Sequence, residues 1–324
     1  MKYDIITIGD TTYDIFIRPQ EAQILDSAKK ACLNIPFEKL LCFRYGDKIE
    51  VEDVTYSLGG TACNVAMGVK KLGLNPGLMS FCGADDFGRK VKQLVEKQKI
   101  DLVNFITDRS IHTTYSFILR YKGDRTILVY RDKFDYKKLD ISKIENAGWI
   151  YLSSLGDGYE KDAVKLISEK NIRLAMNPGK KQLAEKNKQF LLLLAMSELV
   201  FINKEEAQLL AGTRFPLEIK ELYYRLSDLG IKNLIITDGK NGAYARVGKD
   251  IVHQKAIKTQ TVEQTGAGDA FASGFFARYF TDGDIKESLK WGVINGGKVT
   301  EAIGAQNGIV DIRKMEQLGL RIKE

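Results

Sequence analysis

The chain has 324 residues, 44% hydrophobic and 28% charged, which suits one large α/β body with a small accessory element and leaves no long disordered arm. Its 49 lysines and arginines outnumber 42 acidic residues, but they are scattered in runs such as Lys70-Lys71 and Lys137-Lys138, so no nucleic-acid partner is expected. The longest apolar run, Phe190 to Met196, is far below the roughly 20 residues that span a bilayer, and MKYDIITIGD lacks the form of a signal peptide; the expectation is a cytoplasmic protein with no membrane partner.

Strand-like apolar runs alternate with helix-period segments along the chain. Ile5 to Ile8 opens the series as a strand apolar at nearly every position, as strands buried on both faces are. The stretch from Thr11 to about Tyr56 breaks the alternation, and its Glu21 to Cys32 part reads as helix. Leu78 to Phe81 is the next buried strand, followed by a helix carrying Val91, Leu94 and Val95 on one face. His112 to Arg131 reads as a β-hairpin turning at Lys122-Gly123-Asp124, either an edge of the main sheet or part of a separate flap. Trp149 to Leu152, Arg173 to Met176, Leu199 to Ile202 and Leu234 to Ile236 continue the strands. Between them lie helical segments bearing Val164 and Ile167, then Leu209, then Tyr223. The pattern predicts a parallel sheet covered by helices. With no repeat and no long linker, one domain over 1–324 is expected.

The strongest chemical signal is Thr265-Gly266-Ala267-Gly268-Asp269, small residues opening into the apolar helical run Ala270-Phe271-Ala272-Ser273-Gly274. Free N–H groups at a helix start make an anion pocket, so Gly266, Ala267 and Gly268 are candidates to hold charge on a transferring phosphoryl group. Asp269 in the first turn either complements the helix dipole or accepts a proton from an attacking hydroxyl. A carboxylate beside an anion pocket is what phosphoryl transfer to an alcohol requires.

A second group is Gly59-Gly60-Thr61-Ala62-Cys63-Asn64, with paired glycines before an N-capping Thr61 and Asn64 one turn in, placed to bond a substrate hydroxyl. Polar residues also follow the candidate strands: Asp10 and Asp14, Asn177, Asn203 to Glu206, and Thr237-Asp238-Gly239. Ligands of open parallel sheets bind beyond such strand ends, although turn formation alone explains many of these residues. Three apparent motifs fail. Gly292 to Lys298 spells GxxxxGK but has Val299 where a phosphate loop needs Ser or Thr. Asp86-Phe87-Gly88 lacks the other protein-kinase motifs, and no GxGxxG follows the first strand. Cys32, Cys42, Cys63 and Cys82 show no metal or disulfide spacing and read as idle thiols; His112 and His253 show no partner.

Together, Gly59-Gly60, Asn64, Ala66, Leu72-Gly73 and, two hundred residues on, Thr265 to Asp269 with Gly274 resemble the two signatures of the PfkB family of carbohydrate kinases, the group of ribokinase, fructokinase and adenosine kinase. The resemblance implies a ribokinase-like three-layer α/β/α fold with a mostly parallel central sheet and a small β-rich lid from about 11–18, 40–57 and 111–131. It implies transfer of the γ-phosphate of ATP to a hydroxymethyl group of a small sugar of the ribose, fructose or 2-keto-3-deoxygluconate type. Asp269 would be the base and residues 266–268 the anion hole. Asp14, Gly59, Gly60 and Asn64 would bind substrate. Asn177, Asn203, Thr237, Gly239, Gly242 and Asn295 would meet ATP, and Asn203 with Glu206 would serve Mg2+ indirectly. A nucleoside kinase is the alternative, since Tyr115, Phe117, Tyr121 and Tyr130 offer rings that stack on a base or pack the flap. A non-catalytic relative would have lost the base or the anion hole, and both are present. The family's monovalent-cation (K+) site lies beside a segment where Glu263-Gln264 replaces its usual Asp-Thr. An exposed apolar face on the lid would favour a homodimer.

Overall fold

The structure is a computed structural model that describes residues 2–26, 39–154, 159–213 and 215–321. The first half contains β1 (Tyr3–Ile8), β2 (Thr12–Pro19), β3 (Gln23–Asp26), β4 (Lys39–Cys42), β5 (Val51–Gly59), α1 (Thr61–Lys71), β6 (Pro76–Met79), β7 (Phe81–Gly83), α2 (Asp86–Lys97), β8 (Asp101–Leu102), β9 (Ile106–Asp108), β10 (Tyr115–Tyr121) and β11 (Asp124–Tyr130). The second half adds β12 (Ala147–Leu152), α3 (Tyr159–Lys170), β13 (Arg173–Met176), α4 (Lys180–Glu185), α5 (Lys188–Met196), β14 (Leu199–Asn203), α6 (Lys204–Ala211) and α7 (Ile219–Arg225). β15 (Asn233–Thr237), β16 (Ala243–Val247), β17 (Asp250–Gln254), α8 (Ala267–Asp282), α9 (Ile285–Val299) and α10 (Ile312–Gly319) complete it.

Nine strands form the main sheet in the order β17-β16-β15-β14-β13-β12-β1-β6-β8, parallel except where β16 pairs with β15 and β17. The parallel strands are apolar at almost every position because helices cover both faces. Ile5, Trp149, Tyr151, Ala175, Phe201 and Ile235 pack against Phe271, Phe275 and Phe276 of α8, Leu289 of α9 and Val65 of α1. Their neighbours Ile6, Ile150, Leu174, Val200 and Ile236 face Leu166 of α3, Phe190 of α5, Ala207 of α6 and Leu222 of α7. Each fully buried aliphatic side chain stabilises the fold by about 1.5–3 kcal/mol, so both covered faces of the sheet contribute to holding the layers together.

Four strands form a separate sheet, β11-β10-β2-β5, and β3 pairs with β4 as a ribbon. The hairpin from His112 to Arg131 therefore belongs to the small sheet; β10 joins β2 in parallel, Ser116 opposite Asp14. Four expectations change. Gln23–Asp26 is a strand rather than the start of a helix, because Ile24 and Leu25 pair with Leu41 and Leu40; residues 27–32, with Cys32, lie outside the described residues. Residues 40–42 belong to that ribbon, not to the small sheet. The run Leu78–Phe81 breaks at Ser80, whose carbonyl accepts Ile106 N–H at 3.0 Å and whose hydroxyl meets Thr11 Oγ1 at 2.7 Å, turning Phe81–Gly83 away to pair with β9. Leu209 is exposed, and α6 buries Ala207 and Leu210 instead.

Both histidines have partners: His112 Nδ1 lies 3.0 Å from Asp132 Oδ2, and His253 Nε2 lies 2.8 Å from the Asn241 carbonyl with its ring stacked on Tyr244. Gly292 to Lys298 runs inside α9, so it forms no phosphate loop, and Asp86 to Gly88 is the first turn of α2, capped by Asp85.

Candidate active site

The start of α8 is built on a backbone that only glycine tolerates. Gly266 is left-handed (φ 77°), and a Cβ there would lie 2.5 Å from Ala305 Cβ and 2.7 Å from Ala305 Cα. Gly268, by contrast, would put a Cβ into open space. The Ala267 N–H turns back onto the Gln264 carbonyl at 3.2 Å, which removes it from the set of free donors expected from the sequence. The Gly266 and Gly268 amides remain at the helix start, where the first N–H groups have no partner within the helix.

Asp269 projects from this first turn toward the start of α1. Asn64 Nδ2 donates to its Oδ2 at 2.8 Å, and Gln306 Nε2 in turn donates to Asn64 Oδ1 at 2.9 Å. Asn64, expected to meet substrate, is thus first a prop for Asp269, and Gln306 is a residue that sequence reasoning missed; nothing in its run of small and polar residues distinguishes it. Thr61 does not cap α1. Gly60 is the cap residue (φ 89°), and the Thr61 hydroxyl bonds Asp269. Burial pushes the Asp269 carboxyl up to about 6 against the pull of the Asn64 and Thr61 bonds, with the charges of Asp14 and Glu206 adding to the rise. The same burial pushes the Cys63 thiol up to about 12, so it stays protonated beneath the site.

A cavity of about 260 Å³ opens in front of Asp269, lined also by Asp10, Thr12, Asp14, Gly60, Asn64 and Gly266. The small sheet roofs it. Successive side chains on a strand point to opposite faces, so the row Ser57, Asp14, Ser116 and Val129 faces one way and the row Tyr56, Ile15, Phe117 and Leu128 the other. Ser116, Ile118, Ile127 and Val129 line the cavity. Tyr115, Phe117 and Tyr130 lie on the far side, Tyr115 stacked on Tyr130 at 5.2 Å and tilted against Phe87 at 5.1 Å. Asp14 accepts from Thr12 Oγ1 at 3.0 Å, and burial raises its carboxyl above the ordinary range. A Cβ on Gly59 would strike Asp14 Oδ2 at 2.0 Å, and one on Gly60 the Asp10 backbone carbonyl at 2.2 Å, so the paired glycines let the chain close on the Asp14 carboxylate and on the backbone at Asp10. Asp10 accepts from Tyr136 Oη at 2.7 Å and lies 3.2 Å from Arg131 Nη2.

Larger cavities exist at the hairpin tip and beside the β3–β4 ribbon, about 430 and 920 Å³, but neither is lined by any of the residues singled out by the two signatures. Chemistry therefore decides for the smaller one.

The remaining candidates sit elsewhere. Asn177 follows β13 directly, and Asn203 and Thr237 end the adjacent strands β14 and β15; Asn177 Nδ2 donates to the Phe201 carbonyl at 2.7 Å and Asn203 pairs with Thr237 in register. Gly239 and Gly242 (φ 50° and 96°) turn the chain just beyond. None of these lines the 260 Å³ cavity. Asn203 and Glu206 form a capping box on α6, Asn203 Oδ1 accepting Glu206 N–H at 2.8 Å and Glu206 Oε2 accepting Asn203 N–H at 2.9 Å. Asn295 departs from expectation: it is fully buried, donating to the Ala270 carbonyl at 2.8 Å and accepting from Val310 N–H at 3.2 Å, so it fastens α9 to α8 rather than meeting a nucleotide. Among the described residues no three His, Cys, Asp or Glu side chains converge to hold a metal ion, and no helix is long and apolar enough to cross a membrane.

The chain matches the pfkB family carbohydrate kinase profile over residues 31–312. It is 22% identical to the ATP-dependent 6-phosphofructokinase of Thermoanaerobacterium thermosaccharolyticum over 98% of this chain and 94% of that one. Its fold matches the nucleoside kinase of Methanocaldococcus jannaschii with a TM-score of 0.74 and 20% identity, over 99% of both chains. It also matches Arabidopsis thaliana ribokinase complexed with ribose and ATP, with a TM-score of 0.76 and 17% identity over 98% of this chain and 99% of that one.

Proposed function

Since the chain belongs to the pfkB family of carbohydrate kinases, ATP-dependent enzymes that act on sugars or nucleosides, we propose that it phosphorylates a hydroxymethyl group of a small sugar in the 260 Å³ cavity. The observation that carries this is the junction of Asp269, at about 6, with the Gly266 and Gly268 amides at the head of α8. A carboxylate tuned near the working pH takes the proton of the attacking hydroxyl, while the two N–H dipoles stabilise the negative charge of the transferring group. Asp14 and Asp10 hold the other hydroxyls, and Asn64 keeps Asp269 turned toward the cavity. ATP lies along the ends of β13 to β15 against Asn177, Thr237, Gly239 and Gly242. Glu206 is a carboxylate on that side; it is half-buried, raised by desolvation, and one oxygen is spent on the capping box. That leaves the other to serve Mg2+ carried on the phosphates, and the ion, when bound, neutralises phosphate charge.

A sugar is favoured over a nucleoside because the rings of the hairpin face away from the cavity, where Ser116, Ile118, Ile127 and Val129 leave no stacking platform for a base. ADP release with ribose, fructose, 2-keto-3-deoxygluconate, fructose 6-phosphate, adenosine and inosine tests this. A neutral or acidic sugar is expected to give a kcat/KM at least about tenfold above either nucleoside, and a nucleoside leading the panel would reverse the assignment.

The small sheet acts as the lid over this cavity, drawn from residues 12–19, 51–59 and 115–130. Its outer row, with Tyr56, Phe117, Leu128 and Tyr130 exposed, is the face we assign to a second copy of the chain. Sedimentation should show a dimer that Phe117→Arg with Leu128→Glu dissociates; a wild-type monomer at micromolar concentration refutes it.

A further inference from the structure

Arg120 and Arg125 stand directly opposite each other on β10 and β11, a pairing that repels unless each charge is neutralised elsewhere. Arg120 is taken inside the small sheet, Nη2 donating to Asp53 Oδ2 at 2.6 Å. Arg125 reaches out of the sheet instead, its Nε 3.4 Å from Glu263 Oε1. The Glu263 side chain is 2% exposed, and the same oxygen accepts the N–H and hydroxyl of Thr265 at 2.7 and 2.5 Å. Thr265 precedes Gly266. One carboxylate oxygen therefore joins the strand that roofs the cavity, through Ile127 and Val129, to the loop that opens α8.

The contact is incomplete. Arg125 Nε and Glu263 Oε2 are both buried and, among the described residues, have no hydrogen-bond partner. A forked guanidinium–carboxylate pairing satisfies both, and its first bond, Nε to Oε1, needs a shift of only roughly half an ångström from 3.4 Å. We propose that Arg125 is a positioning residue: by closing onto Glu263 it sets Thr265 and Gly266, so that seating a substrate beneath β11 completes the anion-binding turn of α8. Its catalytic consequence rests on the kinase reading above, whereas the coupling of β11 to the loop does not.

The test is amide hydrogen exchange of the full-length protein, read over residues 261–268, for wild type, Arg125→Gln, Glu263→Gln and Arg125→Lys. Exchange in this segment should rise by about tenfold or more in the first two variants with β13 to β15 unchanged, and the lysine should restore part of the protection. With the best panel sugar, kcat should fall by about 10- to 100-fold while sugar KM stays within about threefold, and Arg125→Gln/Glu263→Gln should be no worse than either single change. Unaltered exchange in Arg125→Gln, or additive losses in the double variant, overturns the proposal. Should Arg125→Gln fail to fold, Glu263→Gln and Arg125→Lys carry the same comparison. Altered exchange in a protein that phosphorylates nothing on the panel supports the coupling and removes the kinase reading alone.

Discussion

Asp269→Asn should lower kcat by about a thousandfold or more while leaving the protein as stable as wild type or more so. The two halves of this expectation have one cause. The folded carboxyl sits at about 6, above its ordinary 3.8, so the fold disfavours the ionised form. An acid with a raised folded pKa costs stability above that pKa, in full, and the cost fades as pH falls from about 6 toward 3.8. The difference corresponds to at most about 3 kcal/mol, less whatever solvent in the cavity screens. Asparagine is nearly the same shape, can turn its carbonyl to Asn64 Nδ2, and carries no charge to bury. What it lacks is a proton acceptor of useful basicity. The melting temperature at pH 8 should hold or rise; a fall of several degrees with parallel loss of activity would recast Asp269 as structural. The pH profile supplies the second arm. Wild-type kcat/KM should drop about tenfold per unit below about pH 6 as the base is protonated, and the residual activity of Asp269→Asn should lose that limb. A wild-type profile level from pH 5 to 8 would sink the assignment.

The sheet was readable because its strands are apolar on both faces: Trp149 to Leu152 and Leu199 to Ile202 admit few other interpretations once helical segments separate them. The ribbon at Gln23–Asp26 was not, since Ile24 and Leu25 followed by polar residues fit a helix turn equally well and only the partner at Leu40 and Leu41 selects the strand. Asp269 was legible through its neighbours, a carboxylate behind small residues at a helix start. Its props were not, because Gln306 lies 242 residues from the Asn64 it touches. Asn295 shows the converse failure: the family resemblance implies a nucleotide contact there, yet its side chain satisfies the Ala270 carbonyl and the Val310 amide inside the core. The orientation of the hairpin's rings turned on register, and the register came from pairing β10 with β2 across one hundred residues, a contact that local pattern does not encode.

Gly266→Ala and Gly268→Ala differ by one methyl group each at positions two residues apart, and should behave oppositely in stability. At Gly266 the new Cβ meets both Ala305 Cβ and Cα inside 3 Å, and the left-handed backbone adds strain. Strain and overpacking together should cost about 2–4 kcal/mol. The relief available is a shift of the turn away from Ala305, which displaces the amide that faces the transferring charge; loss of one such donor lowers kcat by about 10²–10³. At Gly268 the methyl enters open space on a helical backbone, where alanine is preferred to glycine by about 1 kcal/mol, so the fold should be at least as stable. That open space is also where a phosphoryl group would approach the helix start, so any loss of kcat in Gly268→Ala comes without loss of melting temperature and reports crowding of the ligand itself. Thermal melts with single-substrate kinetics on both variants separate these effects. If Gly266→Ala melts normally and turns over at the wild-type rate, the amide at 266 has no part in holding charge. If Gly268→Ala binds ATP and transfers phosphate unimpeded, the anion sits on the Gly266 side of the turn alone.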